Sequence, residues 1–405
     1  MKNAISKKPL SNRLEKITPS MTLAVSSKIN KMKREGVKVY TFGTGEPDFD
    51  TPEVIRKAAE EGMRKGVTRY TDVKGLPDLR NAIAAKYQRE FGLSFDPDSE
   101  VIVSSGAKHS LSTALMALLS DGDEVIIPVP YWVSYSEIVK LAGGEPVLVY
   151  PKKEDSFILT PEELEAAITD KTKVLMLNNP SNPTGVVYTK EQLRAVAEVC
   201  VQHGVYILSD EIYEMLIYND REFTPMASLS DEIRELTLTI NGASKSYAMT
   251  GWRIGYTLAA PEIIKAMSTI QGQCVSHPST VAQYATITAL ETDQSIVYDM
   301  VREYDKRRNY MMKVLSSIEG VKPIDPDGAF YVFADVSSFY GKSCNGRPIE
   351  GSIDFADALL ESKHEGTIPG IGFGSDDFLR FAYATSMEDI KIGLELFREF
   401  VEELQ

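Results

Sequence analysis

Cysteine, histidine and tryptophan are scarce in this chain, with three, four and two among 405 residues. Cys200, Cys274 and Cys344 stand far apart and are odd in number. That argues against a disulfide framework and fits reducing, cytoplasmic surroundings. His109, His203, His277 and His364 show no paired spacing, so no zinc or iron site is expected. No apolar run is long enough to cross a bilayer, and no membrane partner is expected. The start, MKNAISKKPLSNRLEKI, is basic but has no apolar centre; it reads as an arm or first helix, not a secretory signal. Positive charge is in deficit. A net charge of −14 and the lack of a basic stripe argue against nucleic acid, although a pocket on an acidic protein can still be locally positive. Internal repeats and low-complexity linkers are also missing.

What is present is an ordinary globular composition, 43% hydrophobic and 25% charged. At this length the chain is expected to form two or three domains. Through its middle, short apolar β-rich runs alternate with helical patterns. The runs are VIVSSG (101–106), EVIIPVP (124–130), EPVLVYP (145–151), TKVLMLNNP (172–180), VYILSDE (205–211), LTLTING (236–242) and RIGYTLAA (253–260). Nearly all-apolar strands are buried on both faces of a largely parallel sheet, so the fold class is α/β. A long helical pattern over about 290–318 leads into a second, α+β unit. There AFYVFADV and FLRFAYAT read as strands, and DFADALLESK and EDIKIGLELFREFVEEL as helices. The expected division is residues 1–45 as an arm and part of the small domain, 46–295 as the large domain, and 296–405 as the small domain.

Small and polar residues collect at the C-terminal ends of the strands, the edge where open α/β sheets bind ligands. Asp210 ends SDEIY, and Tyr213 follows three positions on. Alone, Asp210 reads as a helix N-cap. NNPSNPTG (178–185) reads as a turn, although turn geometry does not account for three amides. SSGAK (104–108) is a strand-to-helix turn whose backbone N–H groups could hold an anion. Alone, Lys245 in NGASKSYAMTGWRIGY is one solvated lysine among many.

Together these segments resemble the class I aminotransferases that use pyridoxal 5'-phosphate. GASKSYAMTGWRIG matches the family's lysine motif; NPTG, SDEIY, SSGAK and LRFAYATS follow in its order, and GEPDFDTP and RYTDVKGLPDLR match its N-terminal part. The resemblance runs from about Gly45 to Ser386. It is strongest to the bacterial type of aspartate aminotransferase, which shares the PYWVSY pattern. The implied fold is the type I transferase of pyridoxal-phosphate enzymes: a mostly parallel seven-stranded sheet flanked by helices, plus a smaller α+β domain.

The resemblance also implies roles. Lys245 forms the Schiff base with the cofactor and moves the substrate proton. Asp210 pairs with the pyridine N–H, while Tyr213 and Asn182 reach the phenolic oxygen. Trp132 stacks on the ring. Arg253, Ser244 and the backbone of Gly106, Ala107 and Lys108 hold the phosphate. Gly242 stands where some family members carry a further serine. Tyr70 reaches the phosphate of the other subunit of a homodimer. For the substrate, Arg380 grips the α-carboxylate, Gly45 and Asn182 assist, Trp132 lines the pocket, and the Lys108 side chain takes a second carboxylate. Ser20 and Thr22 close over that end. The implied reaction is ping-pong transamination between aspartate, or another acidic amino acid, and 2-oxoglutarate.

Aromatic amino acids or prephenate remain alternative substrates, and β-elimination an alternative reaction. A pyridoxal-binding regulator would need a DNA-binding module, which the N-terminal stretch does not supply. GIGFGS (370–375) follows a proline and precedes a strand-like segment, so it lacks the setting of a dinucleotide-binding loop.

Overall fold

A computed structural model describes residues 10–405; the first nine residues of the expected arm lie outside them. Seven strands build the main sheet: β1 (Val101–Ser104), β2 (Glu124–Pro128), β3 (Glu145–Val149), β4 (Thr172–Asn178), β5 (Tyr206–Asp210), β6 (Thr237–Gly242) and β7 (Gly255–Leu258). Their spatial order is β1-β7-β6-β5-β4-β2-β3. Strand β7 runs antiparallel to both its neighbours, and all other pairs are parallel.

Period-2 alternation sends successive side chains to opposite faces. Val125, Ile127, Val174, Met176 and Leu208 enter one apolar cluster with Leu111 and Leu115 of the helix Ala107–Leu118. Ile126, Leu175, Leu177 and Ile207 enter another with Leu193, Val196, Ala197 and Cys200. Those last four lie on one face of the helix Lys190–His203. Thr189 and Gln192 start that helix with a capping box, and Gly204 ends it in the left-handed conformation. Burial on both faces explains why the strands read as continuous apolar runs.

The second unit is a four-stranded antiparallel sheet. Its strands are β8 (Lys322–Ile324), β9 (Tyr331–Asp335), β10 (Ile368–Pro369) and β11 (Phe378–Ala382), in the order β10-β11-β9-β8. Helices Ser295–Leu315, Ser352–Lys363 and Met387–Glu403 belong with it. The single helix expected over 290–318 is shorter: a separate helix, Thr280–Glu291, stops at Thr292 and the next begins at Ser295. The strand expected over 253–260 also contracts, because Arg253 has φ +57° and cannot continue an extended strand.

The helix Met21–Arg34 and the segment after it lie on the second unit. Tyr40–Thr41 pairs in parallel with Glu365–Gly366, and Lys28 Nζ meets Asp357 at 2.7 Å. One apolar cluster runs without a break from Ile55, Tyr87 and Tyr256 to Tyr304, Phe330 and Phe397. Among the described residues no helix is long and apolar enough to cross a membrane.

Candidate active site

The parallel strands β2, β4, β5 and β6 end at one edge of the main sheet, and β7, running the other way, begins there. Asp210 ends β5, Lys245 follows β6, and Arg253 precedes β7. Ala107 opens the helix after β1, and Trp132 follows β2. A cavity of about 570 Å³ lies against this edge. Asn182, Tyr213, Ser244, Lys108, Gly45 and Arg380 line it together with those five, as do Ser20 and Thr22 from the arm. Residues up to 360 positions apart are thus gathered by the topology.

Lys245 Nζ donates to the Gly45 carbonyl. Removal from bulk water, reinforced by Arg380 and Arg253, pushes its pKa down to about 8; Glu46 and Asp210 oppose the shift. Asp210 is buried. Desolvation raises its carboxyl to about 6, although the Tyr135 hydroxyl donates to Oδ2 at 2.6 Å and the Ile212 N–H to Oδ1 at 3.3 Å. A turn rather than a helix follows Asp210, so it caps nothing. The Tyr213 hydroxyl meets the Tyr331 hydroxyl at 2.9 Å.

Arg380 is 2% exposed and has no carboxylate partner among the described residues. Its Nη1 donates to Asn182 Oδ1 at 3.0 Å and its Nη2 to the Gly43 carbonyl at 3.1 Å, while Nε is buried without a partner. The guanidinium sits 4.3 Å from the centre of the Tyr331 ring. A desolvated cation held by neutral groups alone is arranged to receive an anion.

At the far wall, the Ala107 and Lys108 N–H groups lie in the first turn of their helix, where no helical carbonyl reaches them. Gly255 leaves this turn open, since a Cβ there would lie 2.3 Å from Ala107 N. Gly106 differs from its expected role. Its N–H donates to the Ser104 carbonyl at 2.7 Å, so it offers no donor to the cavity. Its contribution is shape: at φ +88°, a Cβ would lie 2.3 Å from Arg253 Nη2. Arg253 Nη1 is held by the Thr250 carbonyl at 2.8 Å. Lys108 Nζ lies 4.7 Å from the centre of the Trp132 ring, with its pKa lowered by desolvation and then by Arg253.

Tyr70 is not brought to the cavity. It is 92% exposed and stands edge-on to His277. Conversely, Tyr135, Tyr331, Asn178 and Gly43 hold the site residues without having been singled out. Asn178 Oδ1 accepts from the Asn182 N–H, and its amide donates to the Asp210 carbonyl, both at 2.8 Å. The excess of asparagines in NNPSNPTG was the signal for Asn178; Tyr135 lies three positions after Trp132 in PYWVSY.

This geometry has close relatives. The profile of the aminotransferase class I and II family matches residues 37–397. An aspartate aminotransferase of Bacillus sp. (strain YM-2) is 45% identical over 98% of this chain and 100% of its own length. An aspartate/prephenate aminotransferase of Cereibacter sphaeroides is 45% identical over 94% of this chain and 96% of its own. The crystal structure of an aspartate aminotransferase from Rhizobium meliloti superposes with a TM-score of 0.95 at 42% identity, covering 99% of this chain and 100% of that one. The strand-end lysine, the desolvated arginine and these matches agree, and the chain belongs to the class I and II aminotransferases.

Proposed function

We propose that this aminotransferase uses pyridoxal 5'-phosphate to move an amino group between aspartate and 2-oxoglutarate in two half-reactions. The observation that carries the reading is Arg380: a buried guanidinium with a free Nε, in the same cavity as a lysine of depressed pKa. The residues present suit the cofactor. Arg253 lies against a glycine that leaves no room for a side chain, and the first-turn N–H groups of Ala107 and Lys108 stand open beside Gly255. That donor set suits a phosphate.

Arg253, Ser244 and the Ala107 and Lys108 N–H groups would hold the phosphate, and Trp132 would cover the ring. Asp210 would hold the ring nitrogen, and Asn182 and Tyr213 the phenolic oxygen. When bound, the cofactor supplies an aldehyde that condenses with amines and a ring that accepts the electron pair left when the substrate Cα–H bond breaks. Asp210 keeps a negative charge next to the position that must stay protonated; Tyr135 fixes the carboxylate at Oδ2. Arg380, assisted by Asn182, orients the α-carboxylate so that the Cα–H points toward Lys245. Lys245 Nζ, neutral in a large fraction of molecules near pH 8, takes the Cα proton and holds it for return. Lys108 receives the second carboxylate of an acidic substrate. Ser20 and Thr22, whose hydroxyls lie 2.9 Å apart, cover that end. Residues 46–295 act as the cofactor-holding unit, against which 296–405 with 1–45 bring Arg380 and the arm. In a homodimer, Tyr70 of the partner subunit would complete the phosphate site.

The test is initial-rate kinetics with aspartate and 2-oxoglutarate varied together. The expected result is oxaloacetate and glutamate formation with parallel double-reciprocal lines. Intersecting lines, or turnover only with phenylalanine or prephenate as the amino donor or acceptor, would overturn it.

A further inference from the structure

The cavity does not end at the cofactor and substrate residues. It continues along the helix Met21–Arg34, where Thr22, Ser26, Asn30 and Lys33 line it. Those positions are spaced i, i+4, i+8 and i+11, which places them on one helical face. At a rise of about 1.5 Å per residue the stripe extends roughly 16 Å. Asn30 and Lys33 also line an open depression outside, together with Ser27 and Arg34. They therefore form the lip where the cavity meets solvent.

The charge of this lip is unusual for the chain. The helix carries Lys28, Lys31, Lys33 and Arg34 and no acidic residue, on a protein of net charge −14. Lys28 is engaged by Asp357 at 2.7 Å and Glu361 at 3.4 Å. Lys33 has no ion-pair partner among the described residues, and Glu35 is the nearest acid in sequence. An anion approaching this acidic molecule meets a local positive field only where such cations gather.

We propose that the Thr22–Ser26–Asn30–Lys33 stripe is an outer docking site for dicarboxylate anions, through which they pass to the inner cations. The proposal rests on the dicarboxylate reading above and adds a site to it. Lys33 captures a carboxylate at the lip, and the Asn30 amide is the neutral donor next to it; the Ser26 hydroxyl, which donates to the Thr22 carbonyl at 2.8 Å, and the Thr22 hydroxyl, paired with Ser20 at 2.9 Å, line the way in as polar surface. Its contribution is screened by salt, because the lip is open to solvent. It also grows with ligand charge, so 2-oxoglutarate, with two negative charges, depends on it more than zwitterionic aspartate, with one.

The experiment compares the holoenzyme with Lys33→Glu and with Lys31→Glu, which makes the same charge change on the same helix at a residue outside the cavity. Calorimetric Kd and steady-state KM for 2-oxoglutarate are measured at low and at high ionic strength. The expected result for K33E is a Kd and KM raised about 3- to 10-fold at low salt, a smaller rise for aspartate, kcat within about two-fold, and convergence with wild type at high salt. K31E should shift Kd by less than about two-fold. Equal effects of K33E and K31E would show a diffuse field without a site, and an unchanged K33E would remove the stripe altogether; either overturns the proposal. The calorimetric arm reads the docking of 2-oxoglutarate whether or not aspartate is the amino donor, so failure of the donor assignment and failure of the stripe give different results.

Discussion

A lysine amine can attack an aldehyde or take a proton only after losing its own. Lys245 manages this by desolvation and two neighbouring cations, which bring it from its ordinary 10.5 to about 8. The same shift has a consequence for stability. The unfolded chain binds the proton up to about pH 10.5, whereas the folded apoprotein releases it from about pH 8. The charged lysine therefore costs stability fully below pH 8, and that cost fades as the pH rises to 10.5. Lys245→Met apoprotein is expected to melt above wild-type apoprotein at pH 7, with the difference in Tm shrinking steadily between pH 8 and 10.5. A difference independent of pH would assign the effect to packing instead. Roles at this scale were readable in sequence only where a motif marked them. Lys245, Asp210 and Arg380 stand in recognisable surroundings, whereas Tyr135 and Tyr331 do not. Tyr135 meets Asp210 across 75 residues, and Tyr331 meets Tyr213 across 118. Local pattern holds no information about pairs so far apart.

At the scale of elements, the close approach of β7 to the first turn of the helix Ala107–Leu118 shapes the phosphate wall. Gly255 permits it, because a Cβ there would lie 2.3 Å from Ala107 N and 2.5 Å from the Gly106 carbonyl carbon. Backbone cannot swing aside as a side chain can. Gly255→Ala is expected to lower stability by about 1–3 kcal/mol and to weaken pyridoxal-phosphate retention, measured by equilibrium dialysis. Unchanged retention with lowered stability would separate the turn from phosphate binding. The strands were legible as apolar runs because both sheet faces are covered. The break between Glu291 and Ser295 was not, since TDQ lies between two helical patterns and carries no glycine or proline, while Thr292, with ψ +166°, turns the chain out of the helix.

For the whole molecule, Tyr70 is the test of assembly. A tyrosine 92% exposed in the single chain and away from the cavity has no catalytic contact there. In the proposed homodimer it serves the other subunit. Mixing and co-refolding inactive Lys245→Ala with impaired Tyr70→Ala chains should then give activity above the sum of the two parents, because a hybrid dimer regains one native site. Activity equal to that sum would mean that Tyr70 does not serve the other subunit.

By itself the sequence determined the α/β class, the order of the strands along the chain and the residue types at their ends. Each of these follows from local spacing, apolar runs or a short motif. Only the tertiary structure decided the strand order in space, the free Nε of Arg380 and the polar stripe that ends at Lys33. Those depend on which distant segments come to lie against one another once the two sheet faces are covered and the helix Met21–Arg34 lies on the second unit, and no window of neighbouring residues encodes that.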